Sequence, residues 1–314
     1  RETQGHRFHH DAPISVPYPG AYEALLCKAK VLPDFSARRE QIAALVGEMA
    51  KAGEEIIISN DLLDEVTGLV EWPVALRGTF DSAFLELPNQ ALVSVMKTHQ
   101  KYFHLSDSES GDLLPAFITV SNIDSKNSAQ VVAGNEKVIR PRLSDAAFFF
   151  NNDKATPLES RQEKLAGVVF QKELGSLLDK TYRIRNLAGE LARRTHADVG
   201  ITERAATLSK CDLVSELVLE FPELQGVAGA QYARHDGEPD PVALAIETHY
   251  LPNFALDALP HTPEAIALAL ADRLDTLVGI FGIGLSPTGS KDPFALRRAS
   301  LAVIRMLMAT KKSL

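Results

Sequence analysis

Cysteine is scarce in this chain of 314 residues: Cys27 and Cys211 stand far apart, with no CxxC pair and no Cys/His cluster. Such spacing provides no disulfide framework and argues against a structural zinc site, and it fits a reducing compartment. Long apolar runs are also missing. The nearest approaches are Phe148–Phe150 and the stretch 265–283, which Asp272, Arg273 and Asp275 interrupt, so no segment reads as a membrane span. Positive charge is not in excess either. At a formal net charge of −8, binding to nucleic acid would have to use local basic patches, because the whole-molecule field repels a polyanion. Internal repeats and low-complexity tracts are absent. Residues Arg1 to Asp11 show no initiator Met, apolar signal segment or cleavage pattern, and the sequence is expected to be a fragment.

What is present is ordinary globular material, with 45% hydrophobic and 24% charged residues. The length favours two domains. In the first half, apolar spacing predicts a helix over Ser36 to Lys51 closed by Gly53. Strand patterns follow over Leu69 to Phe80 around Trp72-Pro73, and over Tyr102 to Leu105 paired with Pro115 to Ser121, with Ser106 to Asp112 as the hairpin loop. A mixed α/β domain over residues 1–152 is expected. In the second half Ser176 and Asp179 make a capping-box start, and Leu177, Leu178, Ile184, Leu187 and Leu191 recur at helical spacing. Further helices are expected from Thr202 to Phe221-Pro222, from Pro239–Pro241 to Pro252, from Thr262 with Pro263 in the first turn, and from Asp292-Pro293 onward. No strand signal interrupts them. The fold class is therefore α+β, with an all-α domain over residues 153–314 and a boundary near Asn151 to Pro157.

Several stretches could carry chemistry. His235-Asp236-Gly237 resembles the metal-binding His-Asp pair of a large phosphohydrolase family, but Pro239-Asp240-Pro241 beside it is turn chemistry and predicts a loop. On a helical wheel through Leu208 to Phe221, Lys210 and Asp212 point to opposite sides, and both sides are apolar. A Lys and an Asp there must find partners, snorkel or reach a cleft. Asp272, in Ala271-Asp272-Arg273-Leu274, projects away from the Leu270, Leu274, Val278 and Phe281 stripe, so it could meet Asp212 at one polar point. The segment is similar to the last metal-ligand segment of the His-Asp phosphohydrolases. That family, however, has an imidazole where Cys211 stands, and Lys210, Cys211, Asp212 and Asp272 are expected to be a degenerate pocket without a metal. The glycine-rich turn Gly279 to Lys291 places Ser290 before Lys291, the reverse of a phosphate-binding P-loop. It could still offer backbone N–H groups to a phosphate at a helix start. In the final helix Leu296, Ala299, Val303 and Leu307 form one stripe, and Arg297, Arg298 and Arg305 lie opposite, either as a phosphate-binding face or as a solvated one. Lys97 to Phe103 and Lys137 to Arg142 are short basic stretches.

The strings Gly134-Asn135-Glu136-Lys137-Val138-Ile139-Arg140-Pro141-Arg142-Leu143-Ser144-Asp145-Ala146, Ser209-Lys210-Cys211-Asp212-Leu213, Tyr232-Ala233-Arg234-His235-Asp236-Gly237-Glu238 and Thr288-Gly289-Ser290-Lys291-Asp292-Pro293-Phe294-Ala295-Leu296-Arg297-Arg298 closely resemble the bacterial glycyl-tRNA synthetase β subunit. They occur in that family's order, and the likeness runs from Gly5-His6-Arg7-Phe8 to the last helix. The resemblance implies a cytoplasmic assembly of two α and two β subunits acting on tRNA(Gly). It places glycine and ATP activation, with Mg, on the α subunit and tRNA binding on β, near the acceptor arm. It implies an HD-type helical domain here, no catalytic residue and no cofactor bound by this stretch. Lys291, Arg297, Arg298 and Arg305 become candidate tRNA contacts, followed by Lys97, Lys101, Arg140 and Arg142. A metal-dependent phosphohydrolase using Asp212 and Asp272, or a scaffold for the α subunit, are the competing readings.

Overall fold

The computed structural model describes residues 1–289 and 291–310; Ser290 and the helical run expected to end at Leu314 lie partly or wholly outside the described residues. The chain divides into two compact units, Arg1–Ala147 and Phe148–Leu314.

The first unit opens with a short antiparallel ribbon, β1 (Glu2–Thr3) against β2 (Ile14–Ser15), followed by α1 (Tyr22–Lys28). Asp34 accepts from the Ala37 N–H and caps α2 (Phe35–Gly47). Then come β3 (Glu54–Ile56), α3 (Asn60–Leu69), β4 (Val74–Thr79), α4 (Asn89–Ser94), β5 (Phe103–Asp107), β6 (Leu113–Ser121) and α5 (Ser128–Lys154), which bears Pro141. The antiparallel sheet has the order β3-β5-β6-β4. Alternation sorts its faces. Phe103, Leu105, Ala116 and Ile118 pack against Ile42 and Val46 of α2 and Leu62, Leu63 and Val66 of α3. On the opposite face Phe117 stacks on Tyr102 at 4.5 Å between centroids.

Two expectations shift here. Leu69 ends a helix instead of starting a strand, because Leu62, Leu63 and Val66 recur at helical spacing up to it, and β4 begins only after Pro73. Ser106 pairs with Glu55 on one side and Leu113 on the other, so the hairpin loop is shorter than its polar sequence implied.

The second unit is mostly helical. A small ribbon, β7 (Val169–Gln171) with β8 (Gly175–Ser176), was not signalled by the sequence because neither strand is long enough to show a period. It leads into α6 (Leu177–Thr195), whose capping box is formed by Ser176 and Asp179. Next are α7 (Val199–Leu208), α8 (Glu216–Glu220), α9 (Val227–His235), α10 (Asp240–Thr248), α11 (Pro263–Gly282) and α12 (Leu296–Thr310). α6 packs on α7 and α11, and α10 packs on α7, α9 and α11. Small side chains let these axes approach: Ala188, Ala192, Ala205 and Ala206 are fully buried, as are Ala265, Ala267, Ala269 and Ala271.

The single helix expected from Thr202 to Phe221 is three pieces. α7 stops at Leu208, Cys211–Val214 is a 3-10 turn, and α8 starts afresh with the Ser215 side chain accepting from the Val218 N–H. The single wheel with two apolar sides therefore fails, and Leu219 is exposed while Leu208 is buried. The break is supported by buried Asp153, whose carboxylate accepts from the Glu216 and Leu217 N–H groups and from the Tyr232 hydroxyl. His235 closes α9 rather than lying in a loop, and Asp236 after it accepts from the Leu158 N–H at 2.6 Å.

Candidate functional site

Four helices of the second unit deliver charged groups to one place. Lys180 sits on α6 in phase with buried Ile184 and Ala188; Lys210 follows α7; His249 follows α10; Asp272, Asp275 and Thr276 lie on α11. The Lys210 Nζ donates to Asp272 Oδ2 at 2.6 Å, lies 2.9 Å from His249 Nε2 and stands 4.0 Å from the Tyr250 ring centroid. The Lys180 Nζ lies 2.9 Å from Asp272 Oδ1 and donates to Asp275 Oδ2 at 3.1 Å and Thr276 Oγ1 at 2.8 Å. Arg183 donates to Asp275 from outside at 2.6 Å.

Both lysine side chains are nearly closed off from solvent, at 5% and 4% exposure. Buried charges persist only when paired. Burial draws Lys210 below its ordinary value, against the pull of Asp272. Burial works to raise Asp272, but Lys180 and Lys210 together outweigh it and hold the carboxyl well below its usual range. His249 is kept neutral, well below 6.5, by burial and then by the neighbouring ammonium. Its Nδ1 lies 2.7 Å from the Ile246 carbonyl, which can only accept, so the proton is on Nδ1 and the Nε2 lone pair faces Lys210.

Asp212 makes no hydrogen bond into this cluster, although its charge acts on Lys210 and Tyr250. Its Oδ2 accepts from the N–H groups of Gly226 at 2.6 Å and Gly229 at 3.1 Å, while its Oδ1 has no hydrogen-bond partner among the described residues. Burial raises its carboxyl to about 6. Asp212 and Asp272 are thus not paired ligands at one polar point: one holds a backbone turn and the other holds two lysines. Cys211 is buried, its thiol pushed up to about 12 by burial, and its Sγ lies 3.7 Å from the Thr207 carbonyl. Asp272 also lies on the interior side of α11, while Val278 and Phe281 of the presumed core stripe are exposed. The helix turns its polar side inward there because Lys180 and Lys210 wait for it.

Arg273 tethers the loop after α10, donating to the carbonyls of His249, Tyr250, Leu251 and Pro252 at 2.7–3.3 Å. Beside it opens a cavity of about 370 Å³ lined by Tyr250, Asn253, Asp272, Thr276, Phe294 and Arg298.

The basic candidates separate into distinct groups. Lys291, Arg297 and Arg298 are exposed, and neither arginine has a side-chain ion pair or hydrogen bond among the described residues. Arg305 instead donates to the Phe254 and Asp257 carbonyls, fixing a loop. Asp292 caps α12, but through Leu296 and Arg297, because Ala295 at φ 53° delays the helix beyond Pro293. The first N–H groups of α12 are thereby taken by a carboxylate and do not face open solvent for a phosphate. The glycine-rich turn is shorter than expected, since α11 continues through Gly279 to Gly282. Lys97 pairs with Asp61 and Lys101 with Glu65, both at 2.8 Å, and the Lys97 bond helps to lower Asp61 to about 2. Arg140 and Arg142 are exposed on α5.

Sequence reasoning missed Lys180, Asp275, His249, Tyr250 and Arg273. A signal existed for two of them. Lys180 falls on the same face as Ile184, Ala188 and Leu191, and His249 falls in phase with buried Val242, Ala245 and Ile246. A charged or imidazole group at a core phase demands a buried partner.

The sequence profile of the family described as "Glycyl-tRNA synthetase beta subunit" matches residues 1–314. The chain is 54% identical over 315 residues to the "Glycine--tRNA ligase beta subunit" of Chromohalobacter salexigens, covering 100% of this chain and 46% of that protein. The protein of the same description from Azotobacter vinelandii is 54% identical over 309 residues, covering 98% and 45%. That from Coxiella burnetii is 52% identical over 314 residues, covering 100% and 45%. The chain thus spans about half the length of the curated relatives it matches. Among the described residues, no helix is long and apolar enough to cross a membrane.

Proposed function

The chain belongs to the glycyl-tRNA synthetase beta subunit family, and on that premise we propose that it is the tRNA-handling middle of a two-subunit glycine-tRNA ligase. In this reading the second unit contacts the acceptor arm of tRNA(Gly), and a companion α subunit activates glycine with ATP and Mg. The assembly works in the cytoplasm as two α and two β subunits. No residue of this stretch performs the chemistry. The observation that carries the reading is the contrast between Lys291, Arg297 and Arg298, exposed at or just before the start of α12 with Arg298 lining a cavity, and Lys180, Lys210 and Arg305, which are committed to internal partners. Arginine forks without a carboxylate partner suit phosphate oxygens. Lys97, Lys101, Arg140 and Arg142 form a secondary set on the first unit, and the first two would have to leave Asp61 and Glu65 to bind.

The test is titration of tRNA(Gly) against the full-length subunit and its Arg297→Ala/Arg298→Ala variant at several salt concentrations. Loss of two phosphate contacts lowers the slope of log affinity against log salt by about 1.8 for a duplex arm. An unchanged slope and affinity overturns the assignment. A scaffold role for the α subunit has one observation in its favour: Leu301, Ile304 and Met308 are exposed along α12. Under that reading charge-introducing substitutions there, such as Leu301→Glu, release the α subunit and leave tRNA affinity unchanged.

A further inference from the structure

We propose that the Lys210 ammonium is a built-in cation, standing between the His249 imidazole and the Asp272 carboxylate where a divalent transition-metal ion would sit if a third ligand were present. This assignment does not depend on the tRNA reading. It starts from His249, whose ring is set as metal-ligating histidines are. Its Nδ1–H donates to a backbone carbonyl, Ile246 at 2.7 Å, which fixes the tautomer and aims the Nε2 lone pair into the cluster. Lys210 Nζ receives that lone pair at 2.9 Å and the Asp272 carboxylate at 2.6 Å, the two donor types that bind late first-row metals. The second carboxylate oxygen of Asp272 is anchored by Lys180 at 2.9 Å, as an outer partner orients a ligand. His249 is fully buried and the Lys210 side chain is 4% exposed, while Asp272 lines the neighbouring cavity.

An ammonium has three donors and no lone pair, so it can satisfy an imidazole nitrogen, a carboxylate and the Tyr250 π face at once. It supplies the positive charge without a metal's need for three or more converging ligands. Among the described residues no group of three His, Cys, Asp or Glu side chains is arranged to hold a metal ion. The lysine therefore takes the place of the cation between these two donors. The unit gains a polar centre that binds its four helices together and cannot be stripped by a chelator.

The test is to evict the ammonium and offer a metal. In Lys210→His a third imidazole replaces the charge, and Asp272 keeps Lys180 as a partner, so the fold retains a counter-ion. Co²⁺ is the probe, read by visible absorption and by the unfolding midpoint. The expected result is one Co²⁺ bound per chain in Lys210→His with a raised midpoint, weaker binding in Lys210→Ala, and no visible band or midpoint shift in the wild type. Adding His249→Ala abolishes the signal. A folded Lys210→His chain that binds no Co²⁺, a band that survives His249→Ala, or wild-type binding lost in His249→Ala would each overturn the assignment. Should the variants fail to fold, ¹⁵N NMR of the wild-type His249 ring decides. A bare Nε2 and protonated Nδ1 support the ammonium as donor, and a protonated Nε2 refutes it.

Discussion

Replacing Asp272 by Asn removes a charge from the centre of the helical unit while keeping its shape. Lys180 would retain Asp275 at 3.1 Å and Thr276 at 2.8 Å. Lys210 would retain only the His249 lone pair, the neutral Asn oxygen and the Tyr250 ring. Breaking a buried pair by removing one partner costs about 3–5 kcal/mol, and the surviving hydrogen bond to Asn places the expected loss near ~3 kcal/mol. The assay is urea unfolding followed by circular dichroism at helix wavelengths. The pH dependence gives an independent check. Burial already draws Lys210 below 10.5 with Asp272 present, and the variant removes the group that opposes this. In the unfolded chain the amine titrates at about 10.4. Between the lowered folded value and that one, the unfolded state holds more protons, so stability rises with pH across the window, by at most about 1.4 kcal/mol per pH unit. The deficit of Asp272→Asn relative to wild type therefore shrinks as the pH is raised from neutrality. Adding Lys210→Met recovers most of the loss, since an apolar side chain of similar length needs no counter-ion. An Asp272→Asn chain within about 1 kcal/mol of wild type at neutral pH would refute the claim that both lysines depend on this carboxylate.

Asp212 has the opposite sign. Its folded value of about 6 lies above the ordinary 3.8, so the folded state holds more protons between them and stability falls as pH rises through that window. Asp212→Asn, which keeps an oxygen for the Gly226 and Gly229 N–H groups, should flatten the urea midpoint across the same range. Arg305→Ala should leave the salt slope of tRNA binding intact while increasing protease sensitivity at the Phe254 to Asp257 loop that it tethers. Gly78→Ala would place a methyl 2.4 Å from the Phe117 ring, disturbing its stack with Tyr102, and should destabilise the first unit by about 1–3 kcal/mol in the same urea assay.

The division of labour between sequence and tertiary structure can be followed residue by residue. Local rules were enough wherever a signal lies within one turn or one period. The Ser176–Asp179 box begins α6, Thr262 with Pro263 begins α11, and the alternation in 115–121 makes β6. The family too was legible, because long strings of side chains in a fixed order need no coordinates. Periodicity failed where a helix is interrupted without Gly or Pro. The helix breaks over Ser209 to Ser215, where distant Asp153 takes the N–H groups of Glu216 and Leu217 just beyond and the Gly226 turn takes Asp212. It failed again on α11, where hydropathy assigned Val278 and Phe281 to the core and the fold put Asp272 and Asp275 there. Amino-acid order alone determined the starts of α6 and α11, the β5–β6 hairpin and the kinship. Only the tertiary structure decided which charges are neutralised inside and which remain at the surface, because pairing energy depends on separations between groups as many as 95 positions apart in the chain, as for Lys180 and Asp275.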